Sequence, residues 1–228
     1  MILTEFEGRT GNLLFQNIFT SIVARKFDLK VVKYADIPNS DLLGLKLYNG
    51  SRTFDQLLEI NDSNLMELLK LDTIECGVNF KGFCQLKDFV IVYKEEILNH
   101  FHLNYDNLIA KDDVFLHLRL DDAEFANPGL YYYETCLNSL QFKKGYISTD
   151  SPNHPIVSKL LSKYNLSLYI NDSIKTINFA KNFNNIIISK GTFSWWIGFL
   201  SKAENIIYPI SDIIWHGDIF VFENWKSI

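Results

Sequence analysis

The stretch NIIISKGTFSWWIGFL, residues 185–200, decides how this chain is read. Ile186, Ile187 and Ile188 make a short apolar run of the kind a strand buried on both faces shows. Ser189-Lys190-Gly191-Thr192 then turns the chain, and Gly191 permits a tight turn and close backbone approach. Phe193, Trp196, Ile197 and Leu200 recur at helical spacing and form one apolar face. Core packing accounts for most of the aromatic cluster, while Trp195 and Phe199 fall off that face and need another neighbour. A helix starting here offers unpaired N–H groups and a partial positive charge, which suits an anion. Plain capping by Thr192 or Ser194 explains the same residues.

The strand–turn–helix pattern repeats on either side. Strands are expected at 114–120, 144–149, 166–170, 185–189 and 205–208, with helices at 130–140, 153–163, 173–182 and 192–203. Strands alternating with helices of this length imply a parallel sheet with helices on both faces. Further upstream, the reading is a strand at 1–6, a turn at 8–12, and a helix with Phe15, Ile18, Phe19, Ile22 and Val23 on one face. A second strand is expected at 31–34. Residues 36–110 are less regular, with a helix near 63–71, strands within 74–92 and a helix near 94–102. A boundary at 105–112 divides the chain into two α/β halves, 1–110 and 111–228, with a cleft between them.

Composition narrows the function classes. The 228 residues, 47% hydrophobic and 14% aromatic, supply a substantial core. A net charge of −5 argues against a general nucleic-acid binder. No apolar run approaches the roughly 20 residues of a membrane span. Met1-Ile2-Leu3-Thr4-Glu5 lacks the pattern of a signal peptide, so the expected location is cytoplasmic. Cys76, Cys84 and Cys136 form no Cys-x-x-Cys pair and read as free thiols in a reducing compartment.

Open α/β sheets bind ligands at the carboxyl ends of their strands. In VFLHLRLDD (114–122), Phe115, His117 and Arg119 share one face, and Asp121 and Asp122 lie just beyond the strand. Arg119 there suits a phosphate held by two parallel hydrogen bonds. The structural alternative is an Arg119–carboxylate pair with His117 as a structural hydrogen bonder. In GYISTD (145–150), Asp150 can accept hydrogen bonds from a base or ribose, or cap the helix starting near Pro152. GRTGN (8–12) makes a similar strand–turn–helix joint, but it is neither a Walker A loop nor a complete dinucleotide fingerprint. Asn12 there can simply cap the helix.

Taken together, these stretches resemble one family. GRTGNLLFQNIF (8–19), VFLHLRLDD, LYYYETCLNSL (130–140), YISTD (146–150), SKGTFSWWIGFLSKAENIIYP (189–209) and the closing FENWKSI (222–228) resemble, in order, motifs of the α-1,2-fucosyltransferases, glycosyltransferase family 11. The resemblance spans nearly the whole chain. It implies a GT-B-like fold of two Rossmann-like halves, with the acceptor side in the first and the donor bound mainly by the second. It implies inverting transfer of fucose from GDP-fucose to a hydroxyl of a glycan, α-1,2 to galactose, with no metal and no cofactor beyond the sugar donor. The acceptor would be a glycan free or carried on a lipid or protein; neither nucleic acid nor a transmembrane segment is expected. By the same resemblance, Arg119 holds the donor diphosphate and stabilises the leaving GDP. His117 and Asp150 contact guanine or its ribose, and Thr192, Phe193 and Ser194 lie along the nucleotide. Gly11 and Asn12 line the cleft from the first half. Asp122 matches the family carboxylate, which either accepts the acceptor proton or orients Arg119.

The chain departs from the family at Leu120, Asp121 and Ala123, at Leu13, and at Lys190-Gly191-Thr192, and it is shorter than typical members. Two alternatives therefore stand beside the first reading. One is a GT-B transferase with a different nucleotide sugar; the other is a non-catalytic nucleotide- or glycan-binding homologue.

Overall fold

The computed structural model describes residues 1–105, 112–121, 126–210 and 218–228. It is an α/β protein with two parallel sheets. Two compact units make up the chain, one built on Met1–Leu103 and the other on most of the chain from Asn104 onward.

In the first unit the order is β1 (Ile2–Thr4), α1 (Thr10–Phe27), a 3-10 turn (Ser40–Leu43), β2 (Leu57–Asn61), α2 (Leu65–Lys70), β3 (Gly77–Lys81), α3 (Lys87–Val92) and α4 (Lys94–Leu98). The three strands are parallel in the order β1-β3-β2. Helix α1 is buried far beyond the single stripe expected, from Leu14 through Ala24. Phe19 packs on Phe80 of β3, ring centroids 4.3 Å apart, and on Phe89 of α3 at 5.9 Å. Its buried polar residues fasten the surrounding loops. The Asn17 side chain bonds both the N–H and the C=O of Ala35, each at 2.9 Å. Gln16 donates to the Gly82 carbonyl at 2.9 Å. The helix stops at Asp28, which adopts a left-handed conformation (φ 52°), after Arg25 and Lys26 have placed positive charge near the carbonyl end.

The strand expected at 31–34 does not form. Val31 makes one bridge to Ile2, and the backbone is then captured by side chains, with Val31 N–H donating to Asn49 Oδ1 at 2.8 Å and Ala35 held by Asn17. Local side-chain bonds of this kind compete with a ladder. The edge strand β2 is instead supplied by Leu57–Asn61, whose leucines, Leu57 and Leu58, are both partly exposed, so no alternation announced it.

The second unit follows the expected alternation closely. It runs β4 (Val114–Leu118), α5 (Gly129–Asn138), β5 (Gly145–Thr149), α6 (Pro155–Lys163), β6 (Leu166–Leu168), α7 (Ser173–Ala180), β7 (Asn185–Ile188), α8 (Thr192–Phe199), β8 (Asn205–Tyr208) and β9 (Trp225–Ser227). All six strands are parallel, in the order β6-β5-β4-β7-β8-β9. Central β4 is buried throughout. Val114, Leu116 and Leu118 pack with Tyr132, Tyr133 and Leu137 of α5 and Val157 and Leu160 of α6. Phe115, on the other face, meets Phe179 and Phe183 at 6.1 and 5.6 Å. The missing neighbour of Trp195 and Phe199 is the chain's end. Trp195 stacks on Phe199 at 4.3 Å, and both rings reach Phe222, with Trp225 of β9 lying 6.4 Å from Trp195.

Trp196 is fully buried. Trp196→Ala should therefore cost about 3–5 kcal/mol of stability, read from urea unfolding; a loss under 1 kcal/mol would mean the helix does not rely on this core. His100 supplies a pH test in the first unit. Its Nδ1 lies 2.8 Å from the Glu96 carbonyl, so it donates there, and its Nε2 accepts from the Ser21 hydroxyl at 2.9 Å. Burial holds its pKa below the usual 6.5. The unfolded chain therefore takes up a proton first as pH falls. The stability contributed by neutral His100 is whole above pH 6.5 and is lost as pH drops from there toward the depressed folded value. Unfolding midpoints should decline across that window in the parent chain and decline less in His100→Gln.

Candidate functional site

In the second unit the chain lays down β4, β5 and β6 to one side, then crosses back to place β7 on the other side of β4. That reversal makes a topological switch point at the carboxyl ends of β4 and β7, the position where open α/β sheets hold ligands. His117 pairs in register with Ser148 of β5 and Ile188 of β7, so three strand ends meet at this point.

Most of the residues singled out from the sequence gather here. Arg119 follows β4 and packs against the turn before α8. A methyl group built on Gly191 would lie 3.4 Å from Arg119 Nη1 and 3.6 Å from its Cδ. Gly191 has φ 129° and ψ 157°, a backbone conformation that side chains rarely adopt, and it is the residue capping α8. The capping position falls on Gly191, so Thr192 and Ser194 lie inside the first turn of the helix. The Ser194 hydroxyl turns inward to His117 Nδ1 at 2.6 Å and to Ser189 Oγ at 3.0 Å. Phe193 meets the His117 ring edge-on, centroids 5.0 Å apart. The start of α8 and the Arg119 guanidinium thus lie together at one end of the sheet, an arrangement suited to an anion.

Asp150 does not cap the following helix. His154 does so, accepting from Ile156 N–H at 3.2 Å, and α6 begins at Pro155. Asp150 instead uses Oδ1 to accept from the Leu120 N–H at 2.8 Å and the Asp121 N–H at 3.3 Å, fixing the path of the chain just after Arg119. Asp122 lies outside the described residues. The sequence reading passed over Ser189 and Tyr133. Ser189 is 1% exposed and lies between β7 and the glycine turn, and Tyr133 is fully buried in the core cluster of β4, α5 and α6. Both stand inside quoted motifs, SKGTFSWW and LYYYETCLNSL, but spacing alone gave neither a role.

Gly11 and Asn12 lie in the first unit, inside the first turn of α1, which is capped by Arg9 without a side-chain bond. Asn12 is thus not the cap. Its Oδ1 accepts from Gln85 Nε2 at 3.1 Å, and its amide lies over Gly8, where an added methyl would come within 2.3 Å of Asn12 Nδ2. At the carboxyl ends of β1, β2 and β3 is a pocket of about 400 Å³, lined by Glu5, Glu7, Gln16, Asp62, Lys81 and Phe83 among others. Glu5 and Lys81 pair across it at 2.7 Å. The Asp62 carboxylate is locked by the N–H groups of Phe83 and Cys84 at 2.9 and 2.7 Å. Among the described residues, no group of three His, Cys, Asp or Glu side chains is placed to hold a metal ion. None of the described helices is long and apolar enough to cross a membrane.

Gly191→Ala should strain the turn and crowd Arg119, costing about 1–3 kcal/mol in denaturant titration; unchanged stability would mean the turn tolerates a side chain. Compared with protein-family models, curated proteins and solved structures, the chain has no match.

Proposed function

We propose that the protein is an inverting GT-B glycosyltransferase that moves fucose from GDP-fucose to a hydroxyl of a glycan acceptor, with α-1,2 transfer to galactose as the leading linkage. One observation carries the reading: Arg119 packs on Gly191 at the start of α8, at the strand-order reversal of a parallel sheet. The sequence resemblance assigns the diphosphate to those same residues.

The chemistry follows from the groups present. Breaking the bond between sugar and diphosphate builds negative charge on phosphate oxygens, and a fixed guanidinium with helix N–H groups lowers that barrier electrostatically. The sugar acquires oxocarbenium character, as in glycoside hydrolysis. His117 and Asp150 are assigned to guanine or its ribose, and Thr192 and Phe193 to the nucleotide's flank. Ser194 acts on that surface through His117, because its hydroxyl is committed inward. Asp122 is assigned as the carboxylate that takes the acceptor proton or orients Arg119. The acceptor is assigned to the first unit, whose pocket offers carboxylates, amides and an aromatic ring to a hydroxyl-rich ligand.

The test is a thermal-shift panel of GDP, UDP, CMP and ADP, followed by GDP-fucose and a transfer assay. A ligand at about 100 times its Kd adds ~2.7 kcal/mol, worth ~2–4 °C per kcal/mol at this size. Stabilisation by GDP above the other nucleotides is expected, and Arg119→Ala should lower turnover by roughly 10²–10³ without unfolding the chain. A preference for UDP would discard fucose. Absence of any shift would remove the transferase reading.

A further inference from the structure

The pocket at the carboxyl ends of β1, β2 and β3 is built by the first unit alone. Its volume is about 400 Å³, and the chain leaving each strand supplies part of its wall. Glu5 and Glu7 follow β1, Asp62 follows β2, and Lys81 and Phe83 stand at the end of β3. A buried amide joins two of these walls. Gln16, 0% exposed, accepts from the Glu7 N–H through Oε1 at 3.2 Å and donates from Nε2 to the Gly82 carbonyl at 2.9 Å. Gln16 and both of its partners line the pocket, so the amide is part of the pocket's own surface.

A side-chain amide has two N–H donors. One N–H of Gln16 goes to Gly82, and the other has no acceptor among the described residues. A buried donor left open keeps its desolvation cost, so an oxygen that enters the pocket and reaches this N–H is held there. Charge sets a second demand. Among the described residues, three carboxylates and one ammonium line the pocket, a surplus of two negative charges. The ammonium, Lys81, is already taken by Glu5 at 2.7 Å. Asp62 is held in place by the Phe83 and Cys84 N–H groups. The exposed Glu7 carboxylate makes no hydrogen bond or ion pair among the described residues. A ligand hydroxyl meets the first demand, since its oxygen accepts from an amide while its proton goes to a carboxylate. A neutral ligand leaves the charge surplus in place, and an anion is repelled by it. An ammonium group on the ligand offsets it.

We propose that this pocket takes a hydroxyl-rich ligand carrying an ammonium group, the chemistry of an amino sugar, with Gln16 and Glu7 selecting it. The proposal deepens the acceptor assignment and rests on that reading only in calling the ligand the acceptor. Glu7 is open to solvent, so its pairing with an ammonium is screened and is worth a factor of roughly two to five in affinity.

The experiment is a ¹H–¹⁵N titration of the ¹⁵N-labelled full chain at neutral pH without nucleotide. The separate probes are D-galactosamine, N-acetyl-D-galactosamine, D-galactose and methylammonium. The Gln16 side-chain amide and the Glu7 and Gly82 backbone signals report the pocket. D-galactosamine should move them with a Kd roughly two- to five-fold lower than that of either neutral sugar. Added salt should narrow that gap, and Glu7→Gln should remove most of it in a chain whose spectrum is otherwise unchanged. Equal affinity for D-galactose and D-galactosamine overturns the proposal. So does an equal response to methylammonium, which would reduce the site to bare charge, and so does a Gln16 amide that no probe moves. The GDP result is read separately. A chain that GDP stabilises but that fails here keeps the transferase reading and loses this one. A chain that selects D-galactosamine without a GDP shift does the reverse.

Discussion

A parallel sheet has to be covered on both faces, and in the second unit that requirement fixes the position of nearly every residue of interest. Strand β4 lies at the centre, with leucines facing α5 and α6 and Phe115 facing the α7 aromatics. Covering both faces forces the chain to wind one way through β5 and β6 and then return to place β7 against the other side of β4. The return creates the switch point. It also brings the start of α8 beside the end of β4, where the His117–Ser194 bond ties helix to strand. Lengthening the side chain at Gly191 would push into Arg119, so the backbone there is held in a conformation that few residues other than glycine adopt.

The first unit solves a different problem. Its helix α1 is buried on nearly all sides, which leaves polar side chains without water. They are satisfied by binding backbone from loops that have no ladder of their own, as Asn17 does with Ala35 and Gln16 with Gly82. Burial of a polar group costs energy unless it is hydrogen-bonded, so these contacts order the loops and exclude the strand expected at 31–34. Asn12 belongs to the same set through Gln85, which gives it a structural duty besides any contact with a ligand.

What the sequence determined by itself was whatever depends on local spacing. The alternation from residue 114 to 208 marked each strand and helix within those bounds to within a few residues, because period-2 and period-3.6 patterns register which face of an element is buried. The same spacing put His117 and Arg119 on one face of β4 and marked Gly191 as a turn before a helix. Strands β2 and β9 escaped it, since the first lies on a partly exposed edge and the second is a three-residue run whose place is set by the sheet it joins. Only the tertiary structure decided where polar groups find their partners. Asp150 turns to the Leu120 and Asp121 amides and leaves capping to His154, and Ser194 turns to His117. Trp195 finds Phe222 and Trp225 from the far end of the chain. Hydrogen bonds and ring contacts of that kind join residues tens of positions apart, and their energy depends on distance and direction in space, which no local periodicity encodes.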